Sequence, residues 1–326
     1  MRSKKIESNE RREGYMMVAA QVAQGLEYVD ASLINMLDSD VDTLADASKH
    51  IIKSGGKRIR PQVAILSYLA AGGDNVEHVA DAAAALEMVH TATLVHDDIN
   101  DHSMLRRGKL SVHARWGRTF ALLAGDYMFA KVYQMMAHYG IRCNQIMSDA
   151  CVNLVEGETL QALAAKAGDM NRETYKTIIE RKTASLFTAG TQMGAIIAGA
   201  TEEVIVALGD YGRYLGMTFQ VVDDILDIVG DPEKLGKPVG LDVSQNRGVM
   251  VAEGSVTDNG ATTVTETVDP VAVLMNKLRE SGAVEIARLQ AQELAQRART
   301  ALQLVPPSPA RDELYDLIDL VLERDR

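Results

Sequence analysis

Two copies of Asp-Asp-x-x-Asp stand in this chain, Asp97-Asp98-Ile99-Asn100-Asp101 and Asp223-Asp224-Ile225-Leu226-Asp227. Each lies in a stretch whose apolar spacing reads as helix, so its first and last Asp, at i and i+4, lean off one face. Carboxylates in such sets suit a hard cation. Mg²⁺ is typically held through one or two of them, with further oxygens drawn from a substrate phosphate. The pattern therefore predicts two acidic walls holding several Mg²⁺ ions that a diphosphate completes. All six residues, Asp97, Asp98, Asp101, Asp223, Asp224 and Asp227, are candidate metal ligands. The chemistry would be neutralisation of a departing pyrophosphate as a carbon–oxygen bond breaks.

Diphosphates also need cationic side chains. Gly55-Gly56-Lys57-Arg58-Ile59-Arg60-Pro61 crowds basic residues at a helix entrance, and Arg106-Arg107-Gly108 follows the first acidic set. Arginine forks onto phosphate oxygens, and a helix N-terminus adds to an anion site. Two separate basic clusters imply two anionic groups. His96-Asp97 evokes a metal-dependent hydrolase of the His-Asp type, but no further set of separated His and Asp ligands accompanies it.

The elements that must position these groups read as helices. Aromatics are only 5% of the residues, while aliphatics and Ala are abundant, so the expected fold is all-α. Helical periodicity covers residues 16–53 with a break near 38–42, then 62–71, 76–101, 119–139, 142–165, 172–199, 202–230, 271–301 and 310 to the end. Small residues at 189–200 imply close helix packing. Residues 1–14 read as a mobile polar tail, and 15–326 as one domain, a large helical bundle around a central cavity. A Val- and Thr-rich stretch at 248–270, centred on Asn259-Gly260, predicts a β-ribbon or loop.

Net charge of -11 and a pI near 5.2 argue against a nucleic-acid surface, which needs clustered cations. No apolar run is long enough to span a bilayer, and the charged N-terminus lacks the apolar segment of a signal peptide. A cytoplasmic protein without stable membrane insertion is expected. Cys143 and Cys151 have no metal-ligand or disulfide spacing and read as reduced structural residues.

Taken in chain order, further strings join the acidic and basic ones: His90-Thr91-Ala92-Thr93-Leu94-Val95-His96 before Asp97, Ala124-Gly125-Asp126-Tyr127, Glu156-Gly157-Glu158, Lys182-Thr183-Ala184, Tyr211-Gly212-Arg213-Tyr214-Leu215-Gly216, Phe219-Gln220, and Leu235-Gly236-Lys237-Pro238-Val239-Gly240. In these the chain resembles the trans-type isoprenyl diphosphate synthases, within them the long-chain, octaprenyl-like branch. The resemblance implies the isoprenoid synthase fold, a homodimer with a site in each subunit, and Mg²⁺-dependent condensation of isopentenyl diphosphate with an allylic diphosphate. It gives Asp97, Asp101 and Asp223 the principal metal roles, with Asp98, Asp224 and Asp227 in support. Lys57, Arg60, His90 and Arg107 would cradle isopentenyl diphosphate. Arg106, Lys182, Thr183, Gln220 and Lys237 would bind the allylic diphosphate, Lys182 and Lys237 being placed with the catalytic Asp residues.

In that family, bulk upstream of the first acidic motif limits product length. Ala92 and Thr93, five and four residues before Asp97, are both small. Val89 and Met88 lie one turn lower, and Val132, Met135 and Met136 are candidate floor residues. Ala and Thr there leave roughly a helix turn or more of apolar depth, and the expected product has about seven to ten isoprene units, with the geranylgeranyl product as runner-up. The chain departs from the family where Arg247 stands in place of a Lys, so its diphosphate contact differs in shape. A terpene cyclase would need no second diphosphate cradle, and a non-catalytic partner of a heteromeric synthase would have little reason to keep every Asp.

Overall fold

The computed structural model describes residues 2–229, 248 and 282–324, with side chains from residue 12 onward. The helices run α1 (Arg2–Met36), α2 (Asp42–Ile52), α3 (Ile59–Ala70), α4 (Glu77–Asn100), α5 (Val112–Trp116), α6 (Arg118–Met136), α7 (Gly140–Ala167), α8 (Arg172–Ile179), α9 (Ser185–Ile197), α10 (Glu202–Val229), α11 (Ala283–Leu302) and α12 (Pro309–Glu323). A π-helical turn, Glu180–Ala184, joins α8 to α9. The all-α expectation holds. The residues form two compact units, the first from Met1–Cys151, Leu186–Gly212 and Leu302–Tyr315, the second from Val152–Ser185, Arg213–Ala301 and Asp316–Arg326.

In the first unit α4 is the central element. It contains no Gly or Pro, and Ala82, Ala83, Ala84, Ala85, Leu86, Met88, Val89 and Ala92 are all almost fully buried. A helix apolar on nearly every side has to be packed on every side; α6 is its main neighbour, followed by α1 and α3. Between α4 and α5 lies a small antiparallel hairpin, β1 (Leu105–Arg106) with β2 (Lys109–Leu110). The sequence reading missed it because two-residue strands are too short to show an alternating pattern.

Two expectations meet the structure differently. The polar tail expected at 1–14 is helical from Arg2 and continuous with α1. Lys, Glu and Arg are good helix formers, and no Pro interrupts them. The helix is fastened where the Tyr15 hydroxyl donates to Asp312 Oδ2 at 2.7 Å. The ribbon expected at 248–270 falls outside the described residues except for Gly248.

In the second unit, α8 begins at Asn171, whose side chain accepts from Thr174 N at 3.0 Å as an N-cap. The π-helical turn that follows packs against residues 152–167 of α7. A Cβ at Gly157 would sit 2.5 Å from the Lys182 nitrogen, so only Gly permits this approach. Flanking Gly157, Glu156 accepts from Arg181 at 2.9 Å and Glu158 pairs with Lys182. The Glu-Gly-Glu string thus seats the turn that presents Lys182 and Thr183.

Candidate active site

Both acidic motifs occupy the C-terminal turns of long helices, where backbone carbonyls already concentrate negative charge. Neither α4 nor α10 carries a basic residue in its last turn. The six carboxylates divide by exposure: Asp97 and Asp223 are half-buried and Asp101 is exposed, whereas Asp98, Asp224 and Asp227 are buried. Asp101 also caps α4, its N–H reaching Asp97 O at 2.8 Å.

Asp98 is answered by the hairpin. Nε and Nη2 of Arg106 both donate to Asp98 Oδ1, at 2.9 and 2.5 Å. Burial nevertheless pushes the Asp98 carboxyl above its usual range, against the opposing pull of Arg106. Arg106, expected on a diphosphate, is here tied to an acidic-motif residue. The turn beyond it, Arg107-Gly108, has both residues at positive φ, 51° and 73°, the geometry of a tight two-residue hairpin. A left-handed non-Gly residue costs about 1 kcal/mol, and the turn lays Arg107 on the other basic string. A Cβ at Gly56 would meet Arg107 Nη1 at 2.8 Å.

That string separates by role. Arg58, the left-handed N-cap of α3 (φ 48°), pairs with buried Glu87 at 2.8 Å and with Asp30 at 3.0 Å, and so is a structural ion pair that sequence reasoning missed. Lys57 is exposed, and the Arg60 guanidinium lies 5.1 Å from the Phe187 ring centroid. His90 is pushed well below its ordinary 6.5 by burial, then by Arg60, Arg107, Arg106 and Arg58. A neutral imidazole among four guanidiniums marks a strongly positive setting. His96 points elsewhere, its Nε2 3.2 Å from Leu122 O on α6.

One turn and more below Asp97, Met88, Val89 and Ala92 are fully buried and Thr93 is half-buried. The Thr93 hydroxyl donates to His90 O at 2.8 Å, hiding its polarity in the helix. Val132, Met135 and Met136 on α6 are buried as well.

In the second unit a cavity of about 60 Å³ is lined by Gln161, Ile178, Ile179, Lys182, Thr183, Gln220, Asp224 and Gly248. Lys182 donates to Gln161 Oε1 at 2.7 Å. Thr183 Oγ1 donates to Gln220 Oε1 at 2.7 Å, Gln220 Nε2 donates to Asp224 Oδ1 at 2.8 Å, and the Tyr175 hydroxyl donates to Asp224 Oδ2 at 2.7 Å. Near the chain end, Arg324 Nη2 reaches Asp223 Oδ1 at 3.5 Å and its guanidinium lies 4.6 Å from the Phe219 ring centroid. Tyr175, Gln161 and Arg324 were not singled out from sequence. Only Tyr175 had a signal, sitting seven residues, about two helical turns, before Lys182. Lys237 and Arg247 lie outside the described residues.

A model of the polyprenyl synthetase family matches residues 41–264. The chain belongs to the polyprenyl synthetase family. The chain is 37% identical over 321 residues to octaprenyl diphosphate synthase of Escherichia coli K12, covering 93% of this chain and 97% of that protein. It is 38% identical over 307 residues to a short chain isoprenyl diphosphate synthase of Methanothermobacter thermautotrophicus, covering 88% and 92%. A crystal structure of polyprenyl synthase from Caulobacter crescentus CB15, complexed with calcium and isoprenyl diphosphate, superposes with a TM-score of 0.87 at 31% identity, covering 96% of this chain and 98% of that one. The protein is a prenyltransferase of the trans-prenyl diphosphate synthase family. Among its described residues no helix is long and apolar enough to cross a membrane.

Proposed function

We propose that the chain is an Mg²⁺-dependent polyprenyl diphosphate synthase that condenses isopentenyl diphosphate with an allylic diphosphate. Its product would contain about seven to ten isoprene units, long enough to run several helix turns below Asp97. The carrying observation is the grouping of Arg107 against Gly56, with Arg60 and Arg107 acting on neutral His90 seven residues before Asp97 on α4. An anion-binding cradle beside reachable carboxylates fits a diphosphate substrate better than a surface salt-bridge set.

The donor set fits a hard divalent ion: oxygen-only ligands at helix ends, and Asp98 Oδ2 buried with no hydrogen-bond partner among the described residues. Asp97, Asp101 and Asp223 would hold Mg²⁺, with Asp98, Asp224 and Asp227 supporting them. When bound, the ion neutralises the pyrophosphate leaving group. Lys57, Arg60, His90 and Arg107 hold isopentenyl diphosphate; Arg106, Lys182, Lys237 and Arg247 serve the phosphates of the allylic diphosphate, and Thr183 and Gln220 face its developing cation. The carbon–oxygen bond breaks with its electron pair on pyrophosphate, the isopentenyl double bond attacks the allylic cation, and a proton leaves, with pyrophosphate as the acceptor. The protein's work is alignment and electrostatics.

The named relatives include both octaprenyl and short chain synthases at nearly equal identity, so overall similarity does not choose a length. The small side chain of Ala92 supports the long product; Ala92, Val89 and Met88 are themselves closely packed. Purified protein given farnesyl diphosphate, labelled isopentenyl diphosphate and Mg²⁺ should release product beyond twenty carbons; accumulation at fifteen or twenty would replace this reading with the geranylgeranyl one. Ala92→Phe should shorten the product. A homodimer is supported by exposed Phe120 and Leu123 on α6 and Ile141 on α7, and light scattering after size exclusion tests it.

A further inference from the structure

Asp224 is 5% exposed and Tyr175 3% exposed, so their hydrogen bond is made away from water. Both Asp224 oxygens are engaged, Oδ1 by Gln220 and Oδ2 by Tyr175. An ionised carboxylate only accepts. Gln220 must therefore turn Nε2 toward Asp224 and Oε1 toward Thr183, and the Thr183 hydroxyl must spend its single proton on Oε1. What Thr183 offers the cavity beside Lys182 is oxygen lone pairs and no proton. Such an oxygen suits a developing positive carbon rather than a phosphate, which needs a donor.

We propose that Tyr175 is a positioning residue that anchors this relay, holding Asp224 so that Gln220 keeps one orientation and the Thr183 oxygen faces the cavity as an acceptor. The inference rests on the reading of this site as one that ionises an allylic diphosphate. Tyr175 touches no substrate; it acts through three side chains. The π-helical turn matters here, because it carries Thr183 on the same winding that begins at α8 with Tyr175, and Gly157 lets that winding seat closely on α7.

The test is a double-mutant cycle on the full chain with farnesyl and isopentenyl diphosphates and Mg²⁺. Tyr175→Phe should lower kcat about tenfold, the worth of one hydrogen bond at the transition state. KM for both diphosphates should stay within about twofold of wild type, since Tyr175 is placed against neither. In the T183V background, Y175F should cost less than about twofold, because the relay has lost its end. Gln220→Met, which keeps volume and removes both amide bonds, should behave like Y175F and serves if Y175F fails to fold. Full additivity of Y175F or Q220M with T183V in an active enzyme overturns the relay alone. A wild-type protein that never condenses the two substrates overturns the functional reading and this inference with it.

Discussion

Asp97–Asp101 and Asp223–Asp227 share a pattern and a place at the end of a long helix, yet their second carboxylates are held by opposite means. Asp98 is neutralised by a cation eight residues away, Arg106, across a hairpin the chain makes immediately after the helix. Asp224 is held by neutral donors, Gln220 one turn earlier on α10 and Tyr175 from α8, forty-nine residues away in sequence. The same five-letter motif is thus gripped from a neighbouring hairpin in one unit and through a hydrogen-bond relay to a separate helix in the other. The first Asp of each motif stays half-buried and reachable, whereas the second is buried and recruited by local architecture.

The largest test of that division addresses the reachable positions. Asp97→Asn and Asp223→Asn should each lower kcat by about a hundred- to a thousand-fold, the scale for losing an electrostatic group at a transition state. Each should also raise the Mg²⁺ concentration for half-maximal rate. If only one does so, the motifs are unequal in ion holding as well as in anchoring.

The buried positions should separate in stability. Asp98→Asn leaves Arg106 without its charge partner and should destabilise the fold by about 2 kcal/mol, less than a fully buried pair because Arg106 is partly solvated. Asp224→Asn keeps an oxygen that can still accept from Gln220 or Tyr175 and should cost less in urea unfolding while lowering kcat. Equal stability losses would erase the contrast.

A smaller effect concerns the positive setting near the first motif. Folded His90 stays neutral where the unfolded chain takes a proton near 6.5, because burial and four arginines hold its folded pKa well below that value. Stability linked to His90 is therefore complete above about pH 6.5 and falls as pH drops toward the lower folded value, by at most about 1.4 kcal/mol per unit. The stability advantage of wild type over His90→Asn should accordingly shrink between pH 7.5 and 5. A constant gap would mean that His90 is not held in this buried, arginine-faced setting in solution.

Much of this was legible in the chain. Helix positions followed from periodicity, since α4 and α10 are long and uninterrupted, and the basic strings announced themselves by density. Individual roles within them were not legible. Nothing in Lys57-Arg58-Ile59-Arg60 says that Arg58 turns away to Glu87, because that choice depends on a left-handed backbone at Arg58 and a carboxylate buried on α4. The backbone of the tail was not legible for a related reason: charge alone gives no apolar period, yet the same residues extend a helix that Tyr15 fastens to Asp312.

The sequence by itself determined which residue types recur at helical spacing, and with them the acidic pairs, the all-α class and the family. Those are local or compositional properties, set by 3.6-residue periodicity and by the demand of diphosphates for cations. Tertiary structure decided which of six similar carboxylates reach outward, that Arg106 closes on Asp98, and that Tyr175 completes a relay to Thr183. Those outcomes depend on residues far apart in sequence arriving within about 3 Å of each other, a distance that no spacing along one helix encodes.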